Sequence, residues 1–115
     1  MILIKYHIVE LLNKKGASPF RKWIESLPVQ AAARVQARLY SAELGNLGDH
    51  KPLGNGIFEL RVHLNPGYRI YFGRGGACTL IMIGGGTKGT QSRDISRAKR
   101  LWHEHNGEHH DKKKR

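Results

Sequence analysis

Residues 54–72 read GNGIFELRVHLNPGYRIYF, followed by LIMIGGGTK at 80–88 and TQSRDI at 90–95. Successive side chains of a strand point to opposite faces, so Phe58, Leu60, Val62 and Leu64 fall on one face and Glu59, Arg61 and His63 on the other. After Asn65, Pro66 and Gly67, a turn with glycine where positive φ is wanted, Tyr68, Ile70 and Phe72 alternate against Arg69 and Tyr71. A three-residue loop pairs Leu64 with Tyr68, Val62 with Ile70, His63 with Arg69 and Arg61 with Tyr71. The two alternations agree in that register and conflict if it slips by one residue. Glu59, Arg61, His63, Arg69 and Tyr71 are therefore predicted to share one cationic face.

A second turn at Gly75 and Gly76 leads to a further strand starting at Cys78. This strand is predicted to put Thr79, Ile81 and Ile83 on the core side and Leu80 and Met82 beside the cations, which implies a partly covered cleft where charge is less screened. Gly84, Gly85, Gly86, Thr87 and Lys88 read as a loop running to a helix. Backbone can approach a ligand closely there, with Lys88 at the rim.

The chain of 115 residues is sized for one domain with a modest core. Twenty Lys and Arg against nine Asp and Glu give a net charge of +11. Such a balance points to a polyanion, or to an acidic protein that masks the same surface. Part of the excess sits in a charged tail at 112–115. The single Cys78 excludes an intramolecular disulfide and reads as a small core residue. The opening residues, with Lys5, His7 and Glu10 interrupting the apolar run, match neither a signal peptide nor a membrane span, so a cytoplasmic protein is expected.

Alternation of Ile2, Ile4, Tyr6 and Ile8 predicts a first strand over residues 2 to about 9. Ser18 and Pro19 then open a helix with an apolar stripe of Phe20, Trp23, Ile24 and Leu27. Pro28 breaks it, and Ala32, Val35, Leu39 and Ala42 mark a second helix ending near Gly45. The two form a hairpin on the core face of the sheet, with Arg34 and Arg38 on a solvated flank. Residues 45–56 read as a turn-rich loop carrying Lys51 towards the cationic strand. Thr90 or Ser92 caps a last helix, burying Ile95, Ala98, Leu101 and Trp102 and turning Arg93, Arg97 and Arg100 outward. Residues 1–106 form the folded domain and 107–115 a basic tail.

FRKWIESL, ARLYSAELGNLGDHKPLGNGIFELRV, PGYRIYF and GGGTKGTQSRDISRAK, taken in order, resemble the RelE/ParE superfamily of type II toxin–antitoxin toxins, and within it the HigB-like, phage-derived addiction-module killer branch. The resemblance implies an α+β, microbial-ribonuclease-like domain: an N-terminal strand, a helical hairpin, an antiparallel three-stranded meander and a C-terminal helix. It also implies a short antitoxin, commonly a helix-turn-helix protein through which DNA is contacted, and cleavage of mRNA on the ribosome. The chain departs from the pattern where Lys88 stands for an Arg or His and where Glu59 and Arg61 replace a Lys pair.

Metal-independent RNA cleavage needs a base for the 2′-hydroxyl, a cationic grip on the phosphorane and an acid for the 5′-oxygen. The candidates are Glu59 as base, Arg69 assisted by Arg61 for the phosphate, and Lys88 as acid. His63 is a second candidate base, since histidine as a residue type titrates near neutrality, though the family pattern gives it no role. Tyr71 is placed to stack on an unpaired base. Lys51, Gly85, Gly86 and Arg93 complete a predicted RNA-binding set. Each residue also has a purely structural alternative: Glu59 and Arg61 as a cross-strand charge pair, Arg69 and Lys88 as binding groups only. No metal-ligand framework is present despite His103, His105, His109 and His110, and the glycine run lacks the nucleotide-loop pattern, so neither metal nor cofactor is expected. The alternative functions are a ParE-like inhibitor of DNA gyrase and a non-catalytic nucleic-acid-binding module.

Overall fold

The first helix starts where Ser18 and Pro19 require it. The Ser18 hydroxyl accepts from the Arg21 amide at 3.0 Å, and Pro19 occupies the first turn, where no amide donor is needed. The computed structural model describes residues 5–113, with side chains described as far as Gly107. In chain order the elements are β1 (His7–Glu10), α1 (Pro19–Glu25), α2 (Val29–Glu43), β2 (His50–Gly54), β3 (Ile57–Val62), β4 (Tyr68–Arg74), β5 (Thr79–Thr87), a short 3-10 turn (Lys88–Thr90) and α3 (Gln91–Lys113).

The strands form one mixed sheet in the order β1-β5-β4-β3-β2. β1 runs parallel to β5 and the other pairs are antiparallel. The α+β class is as predicted, but the meander has four strands and the sheet five. The extra strand comes from residues 45–56, read as a loop. Asn55 and Gly56 both take positive φ, 57° and 82°, which folds β2 back onto β3. Of the first strand, Ile2 and Ile4 lie outside the described residues.

Both faces of the sheet are covered. Phe20, Ile24, Val35 and Leu39 of the helical hairpin pack on Leu60, Ile70, Phe72, Leu80 and Met82. On the opposite face Ala98 and Trp102 of α3 pack on Ile57, Tyr71 and Ile83. Each fully buried aliphatic or aromatic side chain of this kind contributes about 1.5–3 kcal/mol relative to exposure, so the two layers together hold the sheet. Gly73 shows how close that packing is, since a Cβ there would fall 2.4 Å from the Trp102 ring.

The register of β3 on β4 differs from expectation by two residues: Val62 pairs with Tyr68, Arg61 with Arg69, Leu60 with Ile70 and Glu59 with Tyr71. The connection is residues 63–67, because Leu64 turns back to pack on the hairpin layer and Pro66 has no amide to give a ladder. A shift of two leaves every side chain on its predicted face. The facing of β5 is reversed, however. Leu80 and Met82 lie in the layer under α1 and α2, and Ile81 and Ile83 lie under α3 beside Tyr71. The ladder slips between Tyr71 and Phe72, whose partners are Gly84 and Met82, so the phase of β5 changes at Ile83.

Cys78 is exposed in the turn before β5 rather than buried in the strand. Gly84, Gly85 and Gly86 belong to β5 itself, not to a loop. No helix break marks the predicted boundary at 107, since α3 runs on to Lys113.

Candidate functional site

The β3–β4 connection and the end of β5 enclose a cavity of about 360 Å³ lined by Arg61, His63, Asn65, Arg69 and Lys88 among others. Four of the predicted cationic or titratable residues thus meet at one recess. Arg61 and Arg69 arrive there as register partners on adjacent strands. Lys88 is brought in by the backbone, its amide donating to the Gly67 carbonyl at 2.9 Å. Gly67, at φ +90°, keeps the turn low: a Cβ on it would stand 3.6 Å from Arg69 Nη1 and 3.8 Å from Lys88 Cβ. Arg69 and Lys88 therefore flank the same turn.

Glu59 organises the cations from below. Its side chain has no exposed surface, and Oε2 accepts from Arg61 Nε at 2.9 Å while Oε1 accepts from Gln91 Nε2 at 3.1 Å. Oε1 also lies 3.7 Å from Arg69 Nε, an ion pair without a direct hydrogen bond. The hydrogen bond that Arg61 donates to Glu59 is the first cause that holds its guanidinium above the ordinary range, against the opposing effect of burial, with the charge of Asp49 adding to it. This placement changes the role expected for Glu59. A carboxylate with no exposed surface, engaged by two donors, is not presented to a substrate hydroxyl, which argues against the base expected of Glu59 and for a group that orients Arg61 and Gln91.

Sequence reasoning missed Asp49 and the part played by Arg38. Asp49 Oδ2 accepts from His63 Nε2 at 2.8 Å, and Oδ1 lies 3.6 Å from Arg61 Nη1. Arg38, expected on a solvated flank, is half-buried and donates to the Arg61 carbonyl at 2.9 Å, to the Asp49 carbonyl at 3.2 Å and to the Leu47 carbonyl. Burial lowers its pKa despite the nearby charge of Asp49. One guanidinium thus fixes the segment that carries Asp49, and Asp49 in turn orients His63. Arg34 is exposed as expected. An unpaired Arg in a helix flanking a turn-rich segment was the available signal, but it is a weak one.

The remaining predicted RNA-binding residues are dispersed. Lys51 is exposed on β2, opposite Glu59 in register. Arg93 is exposed on α3 and lines neither this cavity nor the one described next. Gly85 and Gly86 are not open backbone: a Cβ on Gly85 would meet the Trp23 ring at 2.3 Å, and one on Gly86 would meet Asp94 Oδ2 at 1.8 Å. They are glycines because those side chains rest on them. Tyr71, expected as a stacking platform, is 1% exposed and forms part of the wall of a second cavity. Burial, then the charges of Glu59 and Asp94, push its phenol well above the ordinary range, so it stays neutral.

That second cavity, about 280 Å³, lies between α1 and α3 beside Gly84 of β5. Among the described residues no group of three or more His, Cys, Asp or Glu side chains is arranged to hold a metal ion, and no helix is long and apolar enough to cross a membrane.

No family model matches the chain. Over 88 residues it is 40% identical to an uncharacterized protein of Haemophilus influenzae, an alignment that covers 76% of this chain and 89% of the relative. Identity at that level across nearly the whole of the other protein places the two in one family, to which this chain belongs.

Proposed function

We propose that the protein is the toxin of a toxin–antitoxin pair, an endonuclease that cuts mRNA on the ribosome without a metal. The observation that carries this reading is the convergence of Arg61, His63, Arg69 and Lys88 on one recess, over a buried carboxylate that fixes the two guanidiniums. Guanidinium groups bind phosphate in a fixed fork and stay charged throughout a reaction, which suits them to a scissile phosphate and its phosphorane. The net charge of +11 adds the long-range attraction for a polyanion.

In this reading His63 takes the place first assigned to Glu59. With Nε2–H donating to Asp49, Nδ1 is left as the acceptor for the 2′-hydroxyl proton. The 2′-oxygen bonds to phosphorus, the bond from phosphorus to the 5′-oxygen breaks, and Lys88 protonates the departing oxygen. The products are a 2′,3′-cyclic phosphate and a 5′-hydroxyl. A short acidic or helical antitoxin segment covering the recess is the partner that silences it.

The test is induction of the protein in cells, followed by primer extension on their transcripts. New 5′ ends within coding regions are expected, and they should disappear in Arg69→Ala/Lys88→Ala. Undiminished cutting by that variant overturns the assignment of the recess, and stalled replication with intact transcripts overturns the nuclease.

A further inference from the structure

β1 ends at Glu10, opposite Met82, so β5 continues from Ile83 to Thr87 without a neighbour on that side among the described strands. α1 covers one face of this free edge and α3 the other, and the second cavity lies between them. Its wall is apolar and aromatic, from Trp23, Tyr71, Ile83 and Leu101. Asp94, only 7% exposed, adds a carboxylate inside it, held by a hydrogen bond from the Thr90 hydroxyl to Oδ2. Lys22 and Arg97, both exposed, also line it.

This combination has a chemical meaning. An apolar slot excludes a free phosphate, and a buried carboxylate repels any anion that enters it. It accepts hydrogen bonds, so the part of a ligand that goes in must be flat, largely apolar and able to donate. The exposed cations then call for negative charge just outside. A nucleobase with an amino group, followed by its own phosphate, has that distribution. The two cavities share no lining residue, but Tyr71 and Arg69 are two residues apart on β4 and face the same way, one in each wall, which spaces them roughly 7 Å apart along the strand. We infer that this cavity is a base pocket, holding an unpaired adenine, guanine or cytosine of a nucleotide next to the phosphate gripped by Arg69. The inference rests on the RNA reading of the recess and adds to it a site that selects sequence.

Gly84 supplies the test. It lines the cavity, and a Cβ added to it meets no atom within 4 Å, so a side chain at this position starts in open space; Gly84→Val is expected to fill the slot, with an unchanged melting temperature as the check that the fold is kept. The chain has two tryptophans, and Trp102→Phe leaves Trp23 as the reporter. In that background, titration with the four nucleoside 5′-monophosphates should quench Trp23 saturably with AMP, GMP or CMP and less with UMP, whose one base donor, N3–H, lies between two carbonyl oxygens that the Asp94 carboxylate repels. Affinity should fall about tenfold or more in Gly84→Val, a change of roughly 1.4 kcal/mol. Lys22→Glu, a surface change that cannot disturb the core, should weaken binding of the monophosphate but not of the uncharged nucleoside.

Quenching that persists in Gly84→Val, equal response to all four bases, or no response overturns the inference. So does saturation by an acidic peptide and not by nucleotides, which would assign the cavity to a protein partner. Nucleotide binding here is measured without RNA cleavage, so failure of the nuclease reading and failure of the pocket are separate results.

Discussion

Glu59 and Arg69 stand 3.7 Å apart, the carboxylate without exposed surface and the guanidinium 13% exposed at the wall of the recess. The anion is behind and the cation in front. Removing Glu59 leaves Arg69, Arg61 and Gln91 without the group that holds them. We expect Glu59→Ala to cost about 3–5 kcal/mol in urea unfolding, the usual consequence of taking one partner from a buried charge cluster. Glu59→Gln should cost less, because it keeps the shape and one acceptor. A loss below 1 kcal/mol in Glu59→Ala would show that the cluster is not what organises the recess.

Adjacent glycines of β5 should respond oppositely to the same change. A methyl at Gly85 lands within the Trp23 ring, so Gly85→Ala should lose about 1–3 kcal/mol by overpacking. At Gly84 the methyl meets no atom, and Gly84→Ala should be neutral or gain about 0.5 kcal/mol through the unfolded chain. Thermal unfolding of the two variants side by side settles the comparison, and similar losses would contradict it.

Arg38 joins α2 to three carbonyls of the segment before and within β3. Arg38→Ala should cost about 2 kcal/mol, and Arg38→Lys should recover little, because an ammonium cannot span the three acceptors as a planar fork does. If His63 acts as proposed, both variants should also cut RNA more slowly, since Asp49 loses its support. Full activity in Arg38→Ala would separate Asp49 from the chemistry.

Acid should weaken the link between β1 and α1. Burial raises the Glu10 pKa, but the hydrogen bonds from Arg21 and Ser18 and the Arg21 charge outweigh it, and the net shift is downward from 4.5. A lowered folded value means that the unfolded chain takes up the proton first. The contribution is present above 4.5 and is lost as pH falls through the lower folded value. Both groups are partly exposed, so the effect is about 0.5 kcal/mol. Glu10→Gln should flatten the stability profile in that acid range, and an unchanged profile would rule the pair out as a contributor.

Alternation alone makes much of this architecture legible. Phe20 and Ile24, Val35 and Leu39, Leu60 and Ile70, Ala98 and Trp102 are all buried as their spacing requires. What escaped was decided by backbone events that leave faint marks. A slip beside Phe72 inverts the phase of β5, and no residue type announces it. Leu64 leaves the ladder for the helical layer, which lengthens the connection from three residues to five. Asn55 and Gly56, by contrast, carry a readable turn signal, diluted by a stretch rich throughout in turn residues. The recess was legible as a shared face, since that needs only parity. Asp49 and Arg38 were not, because their contacts join segments whose separation in sequence carries no period.

The parallel pairing of β1 with β5 sets when this molecule comes into being. His7 meets Thr79 and Glu10 meets Met82, so β1 is synthesised long before the strand that receives it. Lys88 and the α3 layer come later still. A nascent chain on the ribosome can therefore form the helical hairpin but cannot close the sheet until the codons past Thr87 have been read. Whatever activity the recess carries is withheld from incomplete chains, and a premature stop anywhere before β5 yields a product with no assembled site.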